Sequence, residues 1–375
     1  MDAEDMAAKS AVEHVIQREL SEPAAKKVKG NTRAPFVPTD YGLREDFRLT
    51  DFTNDLKPNE TPGMDSSVVR IKHPTLSDLF MISTTDFFYP LVQDPYVQGR
   101  IACANVLSDL YAMGVTEVDT MLMILGVSRT MTDIERDVVT TQLIHGFNDL
   151  AREAGTNVTG GQTVMNPWPI VGGVAMSVRH ESQIIRPENA LPGQVLVLTK
   201  PLGTQLAVNA LQMKDQPHRW EKVQHFLTKE DADVAFGKAS ESMSRLNINA
   251  AKLMHKARHL YGATSATDVT GFGILGHAAN LAKSQKAAVD LELHTLPVIK
   301  NMLQVNAAFN NNWRLPQGFS SETSGGLLVS LPADAAEAYM KELFELDGQP
   351  SWLVGRVVDG ANQARLTEDI QFLEV

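Results

Sequence analysis

The spacing of apolar and polar residues changes repeatedly along the chain, and each change predicts an element. Ser67 to Ile71 and Leu79 to Ser83 read as strands, Gln98 to Met113 as a helix, and Val118 to Val127 as a strongly apolar strand. Thr132-Asp133-Ile134-Glu135 has the form of a capping box, in which hydroxyl and carboxylate satisfy the open amides of a first helical turn. The helix it opens carries Val139, Leu143, Phe147, Leu150 and Ala154 at helical spacing, and Gly155 stops it. Ile170 to Val178 reads as a strand, and Pro187 to Gly193 precedes a fresh strand from Val195 to Thr199. Beyond lie helices to about Arg258, a strand to Asp268, a helix to about Ala282, a strand from Val289 to Leu293, and further αβ elements. This order predicts a mixed α/β (α+β) chain. Residues 1–45 form a polar, flexible extension, and domains span 46–190 and 191–375.

Composition narrows the function. With 375 residues, 43% hydrophobic and 21% charged, the chain is long enough for two ordinary globular domains. A net charge of −11 argues against nucleic acid or anionic membrane surfaces as partners, so any phosphate ligand must be met locally. The basic run Lys26-Lys27-Val28-Lys29 reads as part of a solvated tail. No apolar run reaches the roughly 18 residues of a membrane span. The single cysteine, Cys103, cannot form an intramolecular disulfide, and these features together predict a cytoplasmic protein.

Polar residues in apolar surroundings mark the candidate chemistry. Ile101 to Met113 is apolar almost all round, yet Asn105, Ser108 and Asp109 stand at i, i+3 and i+4 and form one polar stripe. A carboxylate there must be paired, protonated or bound to a cation. Asp65 precedes a strand, while Asp86 and Asp268 follow strands. Clustered carboxylates at strand ends suit oxygen-loving cations such as Mg²⁺, although an ion pair or a turn explains each aspartate taken singly.

The glycine doublets of Thr159-Gly160-Gly161-Gln162-Thr163 and Thr323-Ser324-Gly325-Gly326 would let backbone amides approach an anion, or simply make tight turns. Gly271-Phe272-Gly273-Ile274-Leu275-Gly276 matches a dinucleotide fingerprint, with Asp290 and Glu292 as possible ribose partners. Asp268 just ahead of it would repel a metal-free pyrophosphate, which makes an NAD-dependent oxidoreductase the distant alternative. His255 and His259 have metal-ligand spacing but no third ligand, and His277 could touch a ligand or merely pack. Cys103 lies within the buried helix and reads as core.

Several of these segments together resemble selenophosphate synthetase (selenide, water dikinase), closest to the animal type. They are Phe47-Arg48-Leu49-Thr50, Gly63-Met64-Asp65, Thr84-Thr85-Asp86, the run from Gly99 to Gly114, Thr159 to Thr163, Leu198 to Thr204, Ala266 to Gly273, and Glu322 to Gly326. The resemblance covers the chain from about residue 46 to its end. It implies a PurM-like two-domain ATPase fold, a homodimer, ATP as substrate, and Mg²⁺. By motif position Asp65, Asp109 and Asp268 resemble metal ligands, and Gly63, Met64, Asp65, Asp86, Asn105, Asp109, Gly160, Gly161, Gln162 and Thr163 resemble nucleotide contacts. The implied reaction converts ATP, selenide and water to selenophosphate, AMP and phosphate for selenocysteine synthesis.

One departure stands out. The family carries a mobile glycine-rich loop with a cysteine or selenocysteine followed by a lysine between the Arg-Leu-Thr and Gly-Met-Asp motifs. Here the interval from Asp51 to Pro62 is short and has no cysteine. Its Lys57 precedes a proline and is only a weak candidate for the family lysine; taken alone it is a surface lysine. Either a variant transcript or gene model has dropped the loop, or the chain is a nucleotide-binding paralogue with altered activity and a regulatory role.

Overall fold

Two sheets of different construction carry the chain. The computed structural model describes residues 65–73, 78–260 and 262–375, and for 256–260 the backbone alone. The extension 1–45, the interval 51–62 with Lys57, and Gly63 and Met64 lie outside the described residues. Residues from Pro62 to Val375 form one compact unit.

The first sheet consists of β1 (Ser67–Arg70), β2 (Leu79–Phe88), β3 (Thr120–Ser128), β4 (Val158–Asn166) and β5 (Ile170–His180), in the order β1-β2-β5-β3-β4. Helices α1 (Pro95–Ala112) and α2 (Asp133–Glu153) are its helical insertions. The second half contains α3 (Thr204–Met213), a short α4 (Pro217–Trp220), α5 (Lys229–Ser244), α6 (Ile248–Leu260), α7 (Gly273–Ser284), α8 (Met302–Ala308) and α9 (Ala336–Asp347). Its strands β6 (Gln194–Leu198), β7 (Ser265–Asp268), β8 (Val289–Val298), β9 (Leu327–Pro332), β10 (Trp352–Asp359) and β11 (Ala364–Glu374) pair in the order β11-β8-β10-β6-β9-β7.

Helix α1 is the pivot. Asp94 caps it through the amides of Tyr96 and Val97, and Pro95 fits its first turn, so it starts three residues before the periodicity suggests. Gly99 and Gly146 let α1 and α2 cross at backbone distance, since a Cβ at either would strike the other helix's main chain. Ala102 to Ala104, Val106, Leu107 and Leu110 join the core shared with β2, β3 and α2, while Ile101 packs in the core of the second half. Cys103 is fully buried there, and burial pushes its thiol well up, which makes it a core residue as predicted.

The α2 capping box of Thr132 and Glu135 is present, and Gly155 follows the helix at φ +79°. In the second half, Glu322 accepts from the amides of Gly203 and Thr204 and from the Thr204 hydroxyl at the start of α3. Burial lifts its carboxyl to about 7.

Three sequence expectations change. Asp86 lies inside β2, which continues to Phe88 because its pairing with β5 holds through Phe88 and Val171. Thr159 to Thr163 is neither a turn nor a loop; it belongs to β4, an edge strand paired in parallel with β3. Gly161 sits there at φ +145°, where a Cβ would collide with the Met123 main chain. Finally, the Gly271–Gly276 fingerprint follows β7, which pairs antiparallel with β9, and the next strand, β8, is not its neighbour. The parallel βαβ unit of dinucleotide sites is therefore missing.

Candidate active site

The C-terminal end of β7, the middle of β2 and the polar stripe of α1 converge on one cleft of about 510 Å³. Asp268 closes β7 and is 1% exposed, while Asp65, Asp86 and Asp109 are partly buried around it. All four line the cleft, with Thr84, Thr270 and His277.

Each carboxylate is held by a neutral donor. The Thr84 hydroxyl bonds Asp109, the Thr267 hydroxyl donates to Asp65 Oδ1 at 2.8 Å, and Asn105 Nδ2 donates to Asp86 Oδ2 at 3.3 Å. Alternation along β2 places Thr84 and Asp86 on the face covered by α1, which is why the stripe of that helix meets them. Ser108 hydrogen-bonds Asp268.

Desolvation and mutual repulsion act together here. Burial, then the charge of Asp268, raises Asp65 well above the usual carboxylate range; burial raises Asp86; and burial, then Asp268, Asp86 and Asp65, raises Asp109. Asp268 is lifted to about 6, mainly by burial, with the Ser108 bond opposing. Behind it lies Lys200, 1% exposed, whose ammonium burial depresses well below the ordinary lysine value.

The cluster therefore suits a divalent cation. Asp65 Oδ2 and Asp268 Oδ2 are buried with no hydrogen-bond partner among the described residues. Ligand atoms of Asp65, Asp268 and His277 lie within 4.8 Å of one another. Burial holds His277 at about 4, hence neutral at pH 7, with Nε2 3.1 Å from the Thr270 hydroxyl. Hard oxygen donors in excess, with no cationic side chain bonded to them among the described residues, are what suits Mg²⁺ or Mn²⁺.

The structure thus brings together Asp65, Asp86, Asn105, Asp109 and Asp268, as the sequence suggests. It does not bring Gly160 to Thr163 there: β5 and β3 separate β4 from β2, about 14 Å at three strand spacings. Asp290 and Glu292 are engaged elsewhere. Asp290 bonds Arg365 and the amides of Ala361 and Gln363, and Glu292 pairs with Arg356 and Arg365. The His255 ring bonds the Gly114 carbonyl, and the side chain of His259 lies outside the described residues.

Sequence reasoning missed the roles of Asn247 and Lys200. Asn247 Nδ2 donates to Ser108 Oγ at 3.0 Å and the Gly325 carbonyl at 2.8 Å. A polar residue just before the apolar start of α6 signalled only a cap.

On this frame the N-terminal domain model of the AIR synthase related proteins matches residues 63–178, and the C-terminal domain model of that family residues 192–366. Solved structures carry the same fold. Thiamine monophosphate kinase of Aquifex aeolicus superposes with a TM-score of 0.59 at 17% identity, covering 86% of this chain and 95% of that one. Hydrogenase maturation protein HypE in complex with ATP gives 0.58 at 15%, covering 88% and 94%.

Closer relatives narrow the class. Selenide, water dikinase 3 of Danio rerio is 50% identical over 84% of this chain and 72% of its own, and selenide, water dikinase of Trypanosoma brucei brucei is 46% identical over 95% and 98%. That of Dictyostelium discoideum is 52% identical over 79% and 80%. The chain belongs to the selenide, water dikinase family.

Proposed function

We propose that this chain binds ATP with Mg²⁺ at the aspartate cleft, transfers one phosphoryl group to selenide and passes another to water, giving selenophosphate, AMP and phosphate. The observation that carries this reading is the convergence of Asp65, Asp86, Asp109 and Asp268, two with buried oxygens that have no partner among the described residues, in a chain about half identical to selenide, water dikinases. Asp65, Asp109 and Asp268 would hold the metal, which when bound neutralises phosphate charge and stabilises the transferring group. Asn105 orients Asp86, Thr84 and Thr267 keep Asp109 and Asp65 in place, and the burial of Asp268 limits water around the reacting phosphates. Residues 46–190 form the nucleotide-binding domain in this reading, and 191–375 close the cleft.

A second copy of the chain completes the site. Val69, Met81, Phe87, Val164 and Val178 share one face of the first sheet, each between 38% and 59% exposed. Such a face suits an interface, and the homodimer that the family resemblance implies would cover it. Gly160 to Thr163 would then contact nucleotide only in the assembled pair. Sedimentation should give a dimer, and Met81→Asp with Phe87→Asp a monomer; a wild-type monomer at micromolar concentration would remove this part of the reading.

The cysteine-free interval supports a second reading, nucleotide binding without turnover, because the single thiol of the chain is buried and held protonated. ³¹P NMR of the protein with ATP, Mg²⁺ and selenide separates the two. A selenophosphate resonance growing with AMP is the outcome of the first; its absence beside intact ATP binding is the outcome of the second. In the second case, inserting a glycine-rich Cys-Lys segment between Thr53 and Gly63 should restore product while leaving nucleotide affinity within twofold.

A further inference from the structure

The turn Thr323 to Gly326 lies between the two halves of the site. Ser324 is held at φ +47°, a left-handed conformation that a side-chain-bearing residue keeps only when its surroundings impose it. A Cβ at Gly325 would collide with the Val269 carbonyl, and one at Gly326 with the Lys200 main chain, so the turn is wedged between the ends of β7 and β6. From this position it reaches both sets of aspartates. The Ser324 amide donates to Asn105 Oδ1 at 2.8 Å, and Asn105 in turn donates to Asp86. The Gly326 carbonyl accepts from the amide of Val269 at 2.9 Å, fixing the main chain next to Asp268.

Two side chains hold the carbonyls of this turn: Asn247 bonds that of Gly325, and Lys200 that of Ser324. Lys200 Nζ donates to the Ser324 carbonyl at 2.8 Å and to the Arg245 carbonyl at 2.6 Å. Among the described residues the bonds of Lys200 go to carbonyls, not to a carboxylate, although burying an ammonium is costly without an anionic partner. Arg245 is anchored in its turn, with Nη2 on the Thr199 carbonyl at 3.0 Å. An apolar residue would fill this space more cheaply; what it cannot do is hold the Ser324 peptide plane in one orientation.

We propose that Lys200 is a positioning residue for the metal and nucleotide site, acting through the Ser324 peptide and Asn105 on the orientation of Asp86. Lys200 is not among the residues that line the cleft. This rests on the reading of the cleft as a Mg-ATP site. Its effect should therefore appear in ligand affinity and vanish once the relay is cut at Asn105, whereas a residue that merely supports the fold would lower stability in any background.

The test is a double-mutant cycle on the full chain, with Mg-ATP affinity read by titration calorimetry and folding by thermal melting. Lys200→Met should bind Mg-ATP at least tenfold more weakly while melting as a folded protein. Asn105→Ala should lose a comparable factor, and the double variant should bind within twofold of Asn105→Ala alone. If Lys200→Met does not fold, Lys200→Gln carries the same cycle. Wild-type affinity in the Lys200 variant, or losses that multiply in the double variant, would overturn the inference while the cleft reading stands. Failure of the wild-type chain itself to bind Mg-ATP would overturn that reading, and the inference with it.

Discussion

Two groups of carboxylates in this molecule, of the same chemistry, have opposite environments. Asp290 and Glu292 on β8 are surrounded by arginines and main-chain amides, which hold both below the usual carboxylate range. Among the described residues Asp65, Asp86, Asp109 and Asp268 have only hydroxyls and a side-chain amide as partners, and burial raises all four. The first group is neutralised by the protein itself; the second has no cationic side chain bonded to it among the described residues. Acidic sequence alone does not distinguish them, and the partners do.

The largest test of that contrast removes the unpaired charge. Changing Asp65, Asp109 and Asp268 together to Asn should weaken Mg-ATP binding by at least a hundredfold in calorimetry, and at the same time raise the melting temperature in chelator, because each substitution deletes a repelled, desolvated charge. Equal ATP affinity in chelator and in Mg²⁺ would count against a cation in the cleft.

A pH series should separate the groups next. A carboxyl whose folded pKa is raised contributes stability below its unfolded value near 3.9, and that contribution is lost as pH rises through the folded value, about 6 for Asp268. In chelator the melting temperature should therefore climb on acidification from pH 7 to 5, and saturating Mg²⁺ should flatten or reverse the climb. Asp290 and Glu292 have the opposite sign: their contribution is present above the unfolded values and is lost as pH falls through their depressed ones. A melting temperature in chelator that falls steadily from pH 7 to 5 would contradict the environment described for the cleft.

The smallest effect belongs to the paired group. Arg365 is half exposed, so Arg365→Ala should cost about 1 kcal/mol or less in denaturant unfolding, with no change in Mg-ATP affinity. A tenfold loss of affinity would mean that the two groups are coupled.

The sequence carried the aspartates of the cleft for a physical reason. Asp109 stands out on a helix with almost no polar face, so burial without a local partner is visible in one dimension, and Asp268 is marked by its place at the end of a short strand of small residues. Their supports are not visible in that way. Asn247 reaches Ser108 across 139 residues, and the Ser324 amide reaches Asn105 across 219, so those pairings exist only once the chain has folded. The glycine doublets show the limit from the other side: the same composition gives an extended edge strand at Gly160-Gly161 and a wedged turn at Gly325-Gly326, because the surrounding main chain determines what the missing Cβ makes room for. Asp290 and Glu292 sat at plausible ribose positions until strand order put β10, β6 and β9 between β8 and β7.

Helix α1 bears on how the molecule comes apart. It is encoded with the first sheet, yet it contributes Ile101 to the second core and receives Asn247 and Ser324 on its polar stripe. Neither half keeps a complete interior without it, so a chain cut between β5 and β6 should give fragments that are poorly soluble apart and recover structure when mixed. Heating the intact protein should produce one calorimetric transition, with calorimetric and van't Hoff enthalpies in agreement. Cooperativity of this kind makes the cleft an all-or-none property: local loosening of one sheet cannot open it gradually while the other stays intact.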